Sequence, residues 1–206
     1  MSMRETCIFI IDDDPSVREA LSLLLGSVGY SCELFSSAEE FLARKPFDGL
    51  GCIVLDVRMS GMSGLDLQEE LVKRDRCMPI VFITGHGDIP MTVQAMKRGA
   101  VDFLPKPFDD EQLLGAIDAA IAEHRQARTV SDEAQAIQER IRKLTPREYE
   151  VFRYVLTGIL NKQIAFELKI AEHTVKLHRG RVMEKLGVNS VADLVRLAQK
   201  VGISAV

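Results

Sequence analysis

The chain has 206 residues, 47% hydrophobic and 27% charged, with a formal net charge of −4. That balance excludes a disordered chain and fits one large or two ordinary globular domains. No apolar run approaches the roughly 20 residues of a membrane span, and the opening MSMRETC has no basic region leading into an apolar stretch. A soluble cytoplasmic protein without a signal peptide is expected.

The first ~125 residues alternate short apolar runs with helix-period segments. Strands are expected at Cys7–Asp12, Ser31–Phe35, Cys52–Asp56, Ile80–Thr84 and Val101–Leu104. Between them fall helices at Pro15–Val28, after the capping box Ser37-x-x-Glu40, and at Leu65–Arg74, Pro90–Arg98 and Asp109–Glu123. Five βα units in a row predict an α/β doubly wound, parallel five-stranded sheet, its strands apolar on both faces. The cysteines Cys7, Cys32, Cys52 and Cys77 have no metal or redox spacing and read as small core residues. His86 is expected in the loop after the fourth strand.

In such a sheet the functional crevice lies outside the carboxyl ends of the strands. Asp12 and Asp13 end the first strand there, Asp56 the third and Thr84 the fourth, and Lys106 follows the fifth. Phosphoryl transfer needs a nucleophile, positioning and neutralised charge. Asp56 is the candidate nucleophile, since a carboxylate can form an acyl phosphate. Asp12, Asp13 and Asp56 supply the hard oxygen ligands that Mg2+ prefers. Lys106 and the Thr84 hydroxyl can each meet a phosphoryl oxygen. Asp14, beside Pro15, reads instead as a solvated acid at a helix start.

The stretches IIDDDPSVREAL, IVLDVRMSGMSGLDL and VFITGHGDIPMTVQAMKRGAVDFLPKPF resemble the receiver domain of two-component response regulators over residues 7 to about 124. The resemblance implies a flavodoxin-like fold, Mg2+-dependent phosphorylation of Asp56 by a sensor histidine kinase, and slow autodephosphorylation. It puts Thr84 and Phe103 at switch positions, the Arg58 carbonyl in the metal shell and a cis peptide at Lys106–Pro107. Where the family usually has Pro, this chain has Ser60, which predicts a more flexible loop after Asp56.

From His124 to Lys143 the composition turns to Gln, Arg, Ala and Glu without Gly or Pro, a linker expected to be partly helical and continuous with the preceding helix. Charge changes sign here. Residues 1–124 carry 11 Lys and Arg against 21 Asp and Glu, a net of −10; residues 125–206 carry 15 against 9, a net of +6. Two domains with different partners are implied, the basic one suited to an anionic polymer.

Four helices are expected in that half: Pro146–Thr157, capped by Thr145 and Glu148, then Lys162–Leu168, Glu172–Leu186 and Val191–Val201. At 100° per residue Val175, Val182 and Leu186 share one face of the third. Lys176, Leu177, Gly180 and Arg181 point the other way, with His173 at the helix entry. Lys176 and Arg181 can reach base edges or phosphates, while Lys162, Thr174 and Arg179 suit phosphates. His178 flanks the buried side, where a core hydrogen bond would suffice for it. No second His or Cys stands at ligand spacing, so no zinc site is expected.

LTPREYEVF, NKQIA and HTVKLHRGRVMEKLGV resemble the LuxR-type helix-turn-helix of the FixJ/NarL regulators from Leu144 to about Val201. That implies a small all-α domain whose third helix enters the major groove and whose fourth mediates dimerisation. Ala171 replaces a frequent Ser before the third helix, weakening its cap.

The combined expectation is a receiver at 1–124, a linker at 125–143 and a DNA-binding domain at 144–206. Its partners are a sensor histidine kinase, double-stranded DNA, RNA polymerase and a second copy of the chain once phosphorylated, with transcription activated as the outcome. Two rivals are a stand-alone phosphatase and a constitutive DNA binder. Against the phosphatase, Arg58 stands two residues after Asp56, where a second acid would be needed.

Overall fold

The computed structural model describes residues 6–74, 78–85 and 89–206. Cys77 and His86 lie outside them. The chain divides into two compact units, Met1–Ala127 and Arg128–Val206.

The first unit runs β1 (Thr6–Ile11), α1 (Pro15–Ser27), β2 (Ser31–Phe35), α2 (Ala38–Ala43), β3 (Leu50–Asp56), α3 (Gly64–Lys73), β4 (Ile80–Thr84), α4 (Ile89–Lys97), β5 (Asp102–Pro105) and α5, which begins at Asp110. The strands pair in parallel in the order β2-β1-β3-β4-β5. This is the doubly wound order whose switch point falls between β1 and β3. Side chains alternate across the sheet into two cores. Phe9, Ile11, Ile53, Leu55 and Phe82 face one side; Ile8, Ile10, Val54, Val81 and Ile83 face the other, against Leu21, Leu25, Leu113 and Ile117.

Two expectations need correction. β2 is not apolar and buried on both faces: Ser31, Glu33 and Leu34 are exposed, because topology places this strand at the sheet edge. Cys32 is accordingly half-buried, while Cys7 and Cys52 are core residues. The helix that begins at Asp110 runs on past Glu123, as expected of a linker continuous with it. α5 continues to Arg142. His124, read as the start of a linker, is buried, its Nδ1 lying 3.0 Å from the Gly51 N and 2.9 Å from its carbonyl oxygen.

In the second unit Ile137 and Ile141 of α5 join α6 (Pro146–Leu156), α7 (Asn161–Leu168), α8 (Glu172–Leu186) and α9 (Val191–Lys200) around Phe152, Ile164, Val175, Val182 and Leu194. Glu148 explains how α6 is fixed. It closes the capping box with Thr145 and, almost fully buried, meets the Lys185 ammonium at 2.6 Å. The Lys185 hydrogen bond, helped by the Thr145 N–H, holds the Glu148 carboxyl below the usual glutamate range. A lowered folded-state value stabilises above the unfolded value and is lost as pH falls through the folded one. Glu148→Ala should therefore cost about 2 kcal/mol at neutral pH, the sum of a cap and a charged hydrogen bond, and less in acid. Urea denaturation followed by circular dichroism at both pH values checks this.

Candidate functional site

The carboxyl edge of the sheet gives the three consecutive aspartates three different situations. Asp12, buried at the end of β1, accepts from the Asp14 N–H through Oδ1 at 2.9 Å and from the Lys106 ammonium through Oδ2 at 2.8 Å. Asp13 is exposed and turned to the loop after β3, where its Oδ2 accepts from the Ser60 N–H at 2.9 Å and the Ser60 hydroxyl at 3.2 Å. Asp14 caps α1, accepting from the Ser16 N–H at 2.8 Å.

Asp56 ends β3 and is 6% exposed. Its Oδ1 lies 3.2 Å from Lys106 Nζ, and its Oδ2 accepts from the Arg58 N–H at 2.9 Å. Gly64 lets α3 start this close, since a Cβ there would collide with the Asp56 carbonyl oxygen. Burial pushes the Asp56 carboxyl above its ordinary value; Lys106 opposes the rise and the Asp12 charge adds to it. For Lys106, burial acts to lower the value, but the Asp12 hydrogen bond and the two carboxylate charges outweigh it and raise it. Thr84, 1% exposed, ends β4 beside this pair, and the Lys106 N–H donates to its carbonyl at 2.7 Å. Phe103 on β5 is half-buried, with its ring 6.0 Å from that of Phe82. The Lys106–Pro107 peptide is cis.

Asp12 and Asp56 thus converge on one cation, the Lys106 ammonium. Among the described residues no three acidic, His or Cys groups converge on a common point. Asp12, Asp13 and Asp56 are hard oxygen donors of the kind that suits a divalent cation, and Asp13 would have to turn toward the other two to join them. The Ser60 contact, joining residues 47 apart, was not legible in the sequence. The loop expected to be looser is tied at Ser60 and again at Met62, whose N–H donates to Glu39 Oε1 at 3.1 Å.

On α8 the division of faces matches the 100° count. Val175, Val182 and Leu186 are buried; His173, Lys176, Leu177, Gly180 and Arg181 are exposed. Thr174 and Arg179 are half-buried, and Arg179 donates to Asn161 Oδ1 at 2.9 Å. Lys162 is exposed in the first turn of α7. Ala171 gives α8 no side-chain cap. His178 departs from expectation: its Nδ1 is buried without a hydrogen-bond partner among the described residues.

Residues 8–118 match the family described as the response regulator receiver domain, and residues 142–198 match the bacterial regulatory proteins of the luxR family. The chain belongs to the response regulators. It is 50% identical to the response regulator protein TodT of Pseudomonas putida F1, over 97% of this chain and 88% of that protein. Among solved structures it is similar to the response regulator StyR, with 50% identity, a TM-score of 0.81 and coverage of 95% and 99% of the two chains. It is also similar to full-length FixJ of B. japonicum, at 42% identity, a TM-score of 0.58 and coverage of 95% and 97%. This response regulator therefore carries a receiver domain with the flavodoxin-like order and a LuxR-type DNA-binding domain. No helix among its described residues is long and apolar enough to cross a membrane.

Proposed function

We propose that this response regulator is phosphorylated on Asp56 by a sensor histidine kinase in the cytoplasm, and that phosphorylation drives dimerisation and sequence-specific DNA binding that activates transcription. Residues 1–124 act as receiver, 125–143 as linker and 144–206 as DNA reader. The observation that carries the reading is the convergence of Asp12 and Asp56 on Lys106 at the carboxyl edge of the sheet.

A carboxylate oxygen of Asp56 attacks the phosphorus of the donor; the acyl phosphate bond forms as the bond to the leaving group breaks. Lys106 moves from carboxylate to phosphoryl oxygen, and the Thr84 hydroxyl donates to another. Asp12, Asp13, Asp56 and the Arg58 carbonyl would hold Mg2+, which when bound neutralises phosphoryl charge. The departure of Thr84 from its resting place lets Phe103 follow. Water later cleaves the acyl phosphate; this hydrolysis and the phosphorylation of Asp56 itself are the only two reactions the protein promotes. Exposed apolar side chains on α4, namely Ile89 at 81%, Val93 and Met96, support a dimer through the face formed by residues 89–104. A dimer raises the effective concentration of two DNA readers, which act through Lys162, His173, Thr174, Lys176, Leu177, Arg179, Gly180 and Arg181 and recruit RNA polymerase.

A gel-shift titration on genomic fragments, using wild type and Asp56→Ala with and without acetyl phosphate and Mg2+, tests the reading. Wild type alone should gain affinity with the donor. Equal affinity in all four conditions would make the protein a constitutive DNA binder.

A further inference from the structure

We propose that Ser60 is a latch on Asp13: its N–H and hydroxyl hold the carboxylate out of the metal pocket and so weaken binding of the divalent cation. This rests on the assignment of Asp12, Asp13 and Asp56 as ligands. Both bonds end on Asp13 Oδ2, at 2.9 and 3.2 Å. Asp13 stands apart from Asp12 and Asp56, which share Lys106, and no three such groups converge among the described residues. To coordinate with the other two, Asp13 has to turn and give up its Ser60 donors. The loop does not readily follow it. Gly61 turns the chain with φ of +88°, and the Met62 N–H is fixed to Glu39 just beyond. The cost therefore falls on the two hydrogen bonds, both to a charged acceptor.

The latch makes a specific prediction because its donors can be removed one at a time. Ser60→Ala loses the hydroxyl and keeps the N–H; Ser60→Pro loses both. In isothermal titration of Mg2+ into the full chain, binding should tighten about threefold in Ser60→Ala and about tenfold in Ser60→Pro, the scale of one and two solvent-exposed hydrogen bonds to a carboxylate. The Mg2+-dependent rise in melting temperature should follow the same order. Affinity in Ser60→Pro equal to or below wild type overturns the latch, and the second sign would mean that Ser60 instead orients Asp13 for the metal. Should Ser60→Pro disturb the far-UV spectrum, Ser60→Ala decides alone, and equality with wild type counts against the proposal. Asp12→Asn separates the two layers. If wild type binds Mg2+ and Asp12→Asn does not, while the Ser60 variants match wild type, the latch alone falls. If wild type and Asp12→Asn bind equally or not at all, the ligand assignment falls and takes the latch with it.

Discussion

Asp56→Asn is expected to reduce phosphoryl incorporation from radiolabelled acetyl phosphate to background, with the fold intact. The amide keeps the shape of the side chain and can still face the Arg58 N–H, but it offers no anionic oxygen to attack phosphorus. Lys106 retains its 2.8 Å contact with Asp12, so the edge of the sheet keeps one of its two ion pairs. The same variant should be more stable than wild type at neutral pH. Burial raises the Asp56 carboxyl above its unfolded value, so its ionisation costs stability as pH rises through the folded value; below the unfolded value the cost is absent. The gain in urea midpoint should therefore appear near neutrality and vanish in acid. Phosphoryl acceptance by wild type should also fall with acidification sooner than an ordinary aspartate would dictate. Incorporation persisting in Asp56→Asn would place the acceptor elsewhere.

The second large effect belongs to α8. Val175, Val182 and Leu186 anchor the helix in the core of the second unit, fixing which residues face outward. Lys176 and Arg181 are exposed on the outward side, with Gly180 between them and a groove floor able to come close. A good side-chain contact to a base edge discriminates by about 1–3 kcal/mol. Arg181→Ala and Lys176→Ala should each weaken specific binding by roughly 5- to 150-fold on that scale and relax the preference at one base position. In the proposed complex Lys162→Ala would remove only a phosphate contact. It should weaken binding to all sequences alike and reduce the salt dependence by about one ion. Arg179→Ala should have a smaller effect on specificity, because Arg179 is already bonded to Asn161. Fluorescence anisotropy at several salt concentrations separates these cases. Uniform losses for Arg181→Ala across unrelated sequences would remove it from the base-reading set.

The elements whose signals are local were legible in advance. The apolar runs of β1, β3 and β4, the caps at Ser37 and Thr145, and the two faces of α8 depend on neighbours a few residues away. So did the collection of Asp12, Asp56 and Lys106 on one edge, once parallel strands fixed where their carboxyl ends point. What escaped depends on topology or on distant partners. SCELF is a strand by propensity, but its exposure follows from being the edge strand, which the pattern of one segment does not encode. The absence of Gly and Pro after Gly115 hinted that α5 continues, yet nothing local marked His124 as buried against Gly51, 73 residues away. The replacement of Pro by Ser60 was visible, but read alone it suggested a looser loop. Only the folded chain brings its two donors to Asp13.

Control of DNA binding by phosphorylation of Asp56 is tested most directly by one comparison: the affinity of the wild-type chain for its DNA site, by fluorescence anisotropy, before and after Mg2+ and beryllofluoride are added together as a stable mimic of the acyl phosphate. A gain of about tenfold or more, worth about 1.4 kcal/mol, is predicted only when both are present. An unchanged dissociation constant, with the mimic demonstrably bound at Asp56, would contradict it.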